Sequence, residues 1–209
     1  MMYSKRGGGL VLEPETLRAS GPIGRIPDVS WLGYAMPGDD QGEDGACVLF
    51  AFASAAEIMH GVAISDQECT ELYRRVLKDK GRPAGAGMTF LEGWEYAAPW
   101  FPGATGISFA DIGNIVRGPL LGGYSITSAW DQTNDAGCLD HEARGPSRGG
   151  HAVVIAAVGV VDRFDSLGRC VYIENSWGRQ WGKDGIGVMT ESLHGRMCNQ
   201  MWEINRDVL

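Results

Sequence analysis

The sequence predicts an α+β protein of two lobes, with helices in its first half, β-strands in its second and a cleft between them. Three observations carry this. Residues 46–62, ACVLFAFASAAEIMHGV, are apolar nearly all round, and their length and alanine content make them a helix rather than a strand. After about residue 105, β-branched and apolar segments alternate with turn residues. Between the two patterns lies a Pro/Gly hinge at residues 81–87. Two lobes of different type leave a cleft, where binding sites lie.

Taken in order, residues 1–25 are Gly-rich, mixed in charge and without periodicity, which predicts a flexible N-terminal arm. The domain proper is expected over 26–209, its helical lobe about 40–105 and its β lobe about 106–209. Ile26 to Asp40 reads as an extended lead-in, with a turn at Met36-Pro37-Gly38-Asp39. The apolar helix that follows has only Ser54, Glu57 and His60 as polar interruptions, so it is a central one ending at Gly61. Ser65 and Asp66 open a second, amphipathic helix through Lys80, and Met88 to Ala98 makes a short third. Strands are expected at Ser108–Val116, Pro119–Trp130, His151–Val161, Cys170–Glu174 and Ile186–Met189.

Composition narrows the function. The 209 residues suffice for one good-sized domain or two packed lobes. Glycine, at 31 residues, follows no fixed period, which excludes collagen and repeat solenoids. Eighteen Lys+Arg against 26 Asp+Glu give a net charge of −8, and no basic stripe is present, so nucleic acid is not an expected partner. The longest apolar stretch, Ala152 to Val161, is about half of what spans a bilayer, so no membrane association is expected. The N-terminus MMYSKRGGGL has two positive charges but no apolar stretch behind them. The expected location is the cytoplasm, or outside by a non-classical route. Five cysteines without a C-x-x-C pair argue against a zinc ribbon and predict mostly free thiols.

Cys47 falls in the first turn of the central helix, where the partial positive charge of the helix terminus favours a thiolate. A free cysteine on its own is most often a small buried hydrophobe, so context decides. His151 follows Gly149-Gly150 and opens the run HAVVIAAVGV at the mouth of a strand. Asn175 lies 24 residues further on (175 − 151), just past the strand Val171–Glu174. A Cys, a His and an Asn on three separate elements fit the plan of nucleophile, base and orienter. Without context Gln41 and Asn175 would be turn residues, and Trp177 and Trp181 packing. His60, His141 and His194 read as structural or surface residues. Cys138 and His141 have C-x-x-H spacing but lack two further ligands, so neither a metal nor a cofactor is expected.

Three segments resemble the papain-like cysteine peptidase family. QGEDGACVLFAF is similar to its signature Q-G-x-C-G-[SA]-C-W-A-F, GGHAVVIAAVG to its histidine segment, and YIENSWGRQWGKDGIG to its N-S-W-G-x-x-W-G-x-x-G-Y segment. Ile26-Pro27-Asp28-Val29-Ser30-Trp31 also looks like the family's mature N-terminus, so the resemblance spans roughly residues 26–206. It implies a papain-like two-lobed fold, with a helical lobe, a β-barrel-like lobe and the active-site cleft between them. It further implies that Cys47 is the nucleophile, His151 its partner and general acid, and Asn175 the orienter of the imidazole. Gln41 and the Cys47 backbone N–H would line the oxyanion hole. Trp177 would shield the Asn175–His151 contact, and Gly87, Met88 and Gly150 would touch substrate. Cys198 matches a half-cystine of the family, with Cys138 as a candidate partner.

The departures are specific. Asp44 stands where the family has a cysteine, Val48 replaces the Trp after the nucleophile, and Ile186 replaces a Tyr. Cys47 and His151 are 104 residues apart (151 − 47), against about 130 for this signature, which implies trimmed loops. The expectation is a divergent, bacterial-type peptidase without a classical propeptide, hydrolysing peptide or isopeptide bonds through an acyl-enzyme. Its partner would be a peptide or protein substrate. An acyltransferase, transpeptidase or cyclase using the same residues is the alternative, and a non-catalytic binding module the second. The arm is expected on the surface, away from the cleft.

Overall fold

The computed structural model of the chain describes residues 9–11, 26–134, 136–139, 144–159 and 168–206. Helix α1 is Cys47–His60, and every residue from Cys47 to Ile58 is buried. A helix with no polar face has to be covered on all sides, and α1 is. It stops at Gly61, which takes the left-handed conformation that ends helices. Helices α2, Asp66–Asp79, and α3, Phe90–Ala97, each begin with a capping box, Ser65 with Glu68 and Thr89 with Glu92. Helix α3 comes close to α1 at Gly93, where a Cβ would stand 2.6 Å from a Val48 methyl and 3.0 Å from the Phe52 ring.

The strands are β1 Val29–Ser30, β2 Ala104–Phe109, β3 Leu120–Thr127, β4 Ser147–Gly159, β5 Cys170–Glu174, β6 Ile186–Thr190 and β7 Cys198–Arg206. They form one antiparallel sheet in the order β2-β7-β3-β4-β5-β6, with β1 also on β4. Strand β4 is buried on both faces, which explains its unbroken apolar run. Ala152, Val154 and Ala156 face the core built around α1, and Val153 and Ile155 the second core beneath the sheet. No helix among the described residues is long and apolar enough to cross a membrane.

The structure departs from the sequence expectation at three places. The strand expected at Ser108–Val116 ends at Phe109, because Asp111 Oδ1 accepts from the Gly113 N–H (2.7 Å) and turns Ile112–Arg117 into a short 3-10 helix. The strand expected at Pro119–Trp130 stops at Thr127, whose hydroxyl accepts from the Ala129 N–H and starts a helical turn at Ser128. Helix α4, Glu191–Met197, and strand β7 were not anticipated at all. Asn199, Gln200, Glu203 and Asn205 interrupt the apolar signal of β7, yet its pairing with both β2 and β3 places it inside the sheet.

Candidate active site

The antiparallel pairing of β4 with β5 sets Val154 opposite Glu174, so the chain leaving β5 returns toward His151. There His151 Nε2 and Asn175 Oδ1 lie 2.7 Å apart, both residues buried. The Asn175 backbone is fixed by its N–H donating to the Gly185 carbonyl at 3.0 Å. The Trp177 ring lies over the imidazole with centroids 4.7 Å apart, and Trp130 meets the same imidazole edge-on at 6.3 Å. Trp181 Nε1 donates to the Trp130 carbonyl (2.6 Å), closing an aromatic wall around the histidine. The turn carrying these tryptophans needs glycine at 182, where φ is +62° and a Cβ would run into the Ile186 carbonyl. Trp130 had no sequence signal. It lies four residues beyond the apolar end of β3 and is recruited by the fold.

Cys47 opens α1 and is fully buried. Backbone N–H groups of Ala152, Gly9 and Val48 point at its sulfur, and Ala152 directly follows His151, so α1 and β4 bring the Cys47 and His151 segments together. The helix terminus was expected to favour a thiolate. Instead burial pushes the Cys47 thiol up to about 11, and the surrounding N–H groups only partly offset it.

Gln41 is buried and fully engaged by its neighbours. Its side-chain amide donates to the Asp44 carbonyl (2.7 Å), its Oε1 accepts from the Ser176 hydroxyl (2.7 Å), and its backbone N–H donates to the Ser176 carbonyl (3.0 Å). Ser176 thus ties the loop leading to Cys47 onto the residue next to Asn175. Sequence reasoning missed it, although it sits inside the N-S-W-G motif.

Residues 9–11, the described part of the arm, are not away from the cleft. Leu10 is 5% exposed and bridges both walls: its N–H donates to the Gly150 carbonyl (3.0 Å), the Met88 N–H to the Gly9 carbonyl (2.8 Å) and the Val11 N–H to the Met88 carbonyl (2.9 Å). A Cβ on Gly87 would strike the Gly9 carbonyl, and one on Gly150 the Leu10 carbonyl. Gly87, Met88 and Gly150, the three positions singled out for substrate, are therefore covered by the chain's own residues 9–11. The physical reason is plain: a Gly-flanked extended segment can bond to two exposed backbone edges, and composition alone does not reveal that. The hinge that carries Gly87 is held by Tyr73, donating to the Ala86 carbonyl (2.8 Å), and by Arg82, donating to the Gly87 carbonyl (3.0 Å) while paired with Glu92.

All five cysteines are free thiols. The candidate bridge between Cys138 and Cys198 is not formed, because Cys138 bridges to Val188 on the outer strand β6 whereas Cys198 starts β7, with β3, β4 and β5 between them. His194 is buried, and its Nδ1 lies 2.8 Å from the Tyr124 hydroxyl; burial lowers its imidazole to about 4, so it is a neutral core residue. His60 ends α1 against Phe101. His141 lies outside the described residues.

No protein-family model matches the sequence, and no curated protein resembles it in sequence. Solved structures do resemble it in shape. Xylellain, a cysteine protease from Xylella fastidiosa, is 21% identical with a TM-score of 0.68 over 99% of this chain and 98% of its own. Procathepsin B S9 from Trypanosoma congolense is 13% identical with a TM-score of 0.69, covering 99% and 88% of the two chains. Digestive procathepsin L 3 of Tenebrio molitor larval midgut is 17% identical with a TM-score of 0.62, covering 97% and 77%. The chain has the papain-like fold.

Proposed function

We propose that this chain is a cysteine peptidase that cleaves peptide or isopeptide bonds through an acyl-enzyme on Cys47, and that its arm holds it shut. The observation that carries the reading is the buried His151 Nε2–Asn175 Oδ1 contact under Trp177, one residue from the N–H that points at the Cys47 sulfur. Asn175 holds the imidazole by Nε2, and Nδ1 takes the thiol proton and returns it to the leaving amine. Trp177 keeps water from the Asn175 contact, where a competing hydrogen bond would loosen the ring. The Cys47 backbone N–H and the Gln41 amide are the donors for the oxyanion, and Ser176 orients Gln41 by its bond to Oε1. For Gln41 to serve, its amide must exchange the Asp44 carbonyl for the reacting oxygen.

Substrate takes the place of residues 9–11. Leu10 lies over Gly123 beside Gln200, between Met88 and Gly150, and a leucine-sized apolar side chain of the substrate fits the same place. With the arm seated, the Gly9 N–H points at the sulfur, and in this reading the burial that raises the thiol is relieved when the arm leaves.

The test is the alkylation rate of each cysteine from pH 4 to 9, read by mass spectrometry, in the wild type, in Leu10→Glu and in Leu10→Glu with His151→Ala. A glutamate cannot stay in that apolar seat, so the arm leaves. Cys47 is expected to react at least tenfold faster at pH 5–6 in Leu10→Glu than in wild type, and to lose that gain without His151. A Cys47 that behaves in all three as a plain thiol of pKa about 8.5 or higher defeats the peptidase reading and leaves a binding module on this fold.

A further inference from the structure

Next to the site, four carboxyl groups from separate elements converge. Glu57 projects from α1, Glu174 from the end of β5, Asp39 from the loop before Gln41, and Asp66 from the first turn of α2. Glu57 and Glu174 are 2% and 3% exposed. Glu57 Oε1 accepts from the Ile64 N–H (2.7 Å), but its Oε2, both oxygens of Glu174 and Asp39 Oδ2 are buried without a hydrogen-bond partner among the described residues. Asp39 hydrogen-bonds to Asp66, which also accepts from the Asp40 N–H. A buried carboxylate with unsatisfied oxygens is costly, and several together are worse.

The surroundings supply little compensation. The groups that act on Glu174 are Asp39 and Glu57, and those that act on Asp39 are Glu57 and Asp66. From α2, Cys69 faces the same cluster, with Glu68 beside it, and Asp40 adds a further acid from the loop. The Arg179 guanidinium packs against Gly38, the residue before Asp39. Burial and mutual repulsion push Asp39 up to about 7 and Glu174 up to about 8, and raise Glu57 and Asp66 as well.

We propose that these carboxyls form a proton-operated latch across the lobes, which holds the site assembled in acid and loosens it as the pH rises. Glu174 is bonded through the chain to Asn175, and Asp39 lies two residues before Gln41, so separation at the latch displaces the imidazole orienter and the oxyanion donor together. Glu174 is a positioning residue in this device. The sign follows from the raised positions. A carboxyl that is harder to ionise folded than unfolded stabilises the fold below its ordinary range, near pH 4, and loses that contribution as the pH climbs through 7 to 8.

The consequence for turnover rests on the peptidase reading, whereas the consequence for stability does not. The thermal midpoint of the full chain and of Glu174→Gln and Glu57→Gln is therefore measured from pH 5 to 9, and kcat/KM in the arm-released Leu10→Glu background over the same range. The wild type is expected to lose roughly 5 °C or more between pH 5.5 and 8.5, of the order that a few tenfold changes in folding equilibrium produce in a chain this size. Both amide variants should lose less than half of that, since an amide does not ionise. The alkaline limb of kcat/KM should move up by about one pH unit in Glu174→Gln, which an unspecific packing defect would not do. Parallel midpoint curves in all three proteins overturn the latch. Inactivity of every variant with diverging midpoint curves overturns the peptidase reading and leaves the latch standing.

Discussion

At the scale of single residues, the site divides into groups that the sequence exposes and groups that only the fold recruits. Cys47, His151 and Asn175 were legible because each sits beside an element boundary marked by glycine or by an apolar run, and because the N-S-W-G segment has fixed spacing. Ser176 and Trp130 were not, because a serine within a motif and a tryptophan in a turn acquire meaning only from the partners they meet, Gln41 and His151. The Ser176 bond carries a prediction. Ser176→Ala leaves the buried Gln41 Oε1 without its donor, which costs about 1–3 kcal/mol if nothing relaxes. In the arm-released background kcat should fall about tenfold or more with KM little changed, if Gln41 is the oxyanion donor proposed above, since such a donor matters only in the transition state. Equal losses in kcat and KM would place Ser176 in substrate binding instead. Asn175→Ala should be harsher, about 100-fold in kcat, the usual scale of a positioned general acid–base. Steady-state kinetics with one peptide substrate reads both variants.

At the scale of elements, α1 was the easiest to read and β7 the hardest, and both for packing reasons. A helix apolar on every face can only be central, so its sequence states its place. Strand β7 is polar at five of nine positions, yet it pairs on both edges, and only the neighbouring β2 and β3 show why a mixed segment is held there. The arm was misread for a related reason: its three cleft residues bond by backbone groups, which leave no trace in side-chain pattern. The α1–α3 contact shows how tightly the helix that begins at Cys47 is seated. Gly93 lets α3 touch Val48, the residue after Cys47, where the resembled family carries a much larger Trp. Gly93→Ala should destabilise the fold by about 1–3 kcal/mol through overpacking, which lowers the melting midpoint by roughly 2–4 °C per kcal/mol in a chain of this size. Val48→Ala added to it should return part of that loss, because the closest conflict of the new methyl is with a Val48 methyl, while the Phe52 ring at 3.0 Å stays crowded. Calorimetry of the single and double variants decides it, and a double variant no better than the sum of two losses would mean that the contact is not the source.

At the scale of the whole molecule, the cleft has two claimants, and their competition should be measurable as a population. If residues 9–11 are seated most of the time, a ligand that needs the cleft binds only the fraction of molecules in which the arm has left, and its apparent dissociation constant rises by the inverse of that fraction. The seated arm makes three backbone hydrogen bonds and buries Leu10. Each such bond contributes about 0.5–1.5 kcal/mol net, and a buried leucine about 1.5–3. Ordering a three-residue segment costs about 1–2 kcal/mol per residue in return. The surplus is therefore small, and a closed state favoured about ten- to a hundredfold is the scale to expect. A peptide aldehyde with leucine in the seat of Leu10, which adds reversibly to a cysteine thiol, should accordingly bind Leu10→Glu about ten to a hundred times more tightly than the wild type. The gain should also appear as a larger rise in melting midpoint on adding saturating aldehyde to the variant. Equal affinities for both proteins would mean that the arm spends its time outside the cleft, and that the closed thiol of Cys47 has another cause.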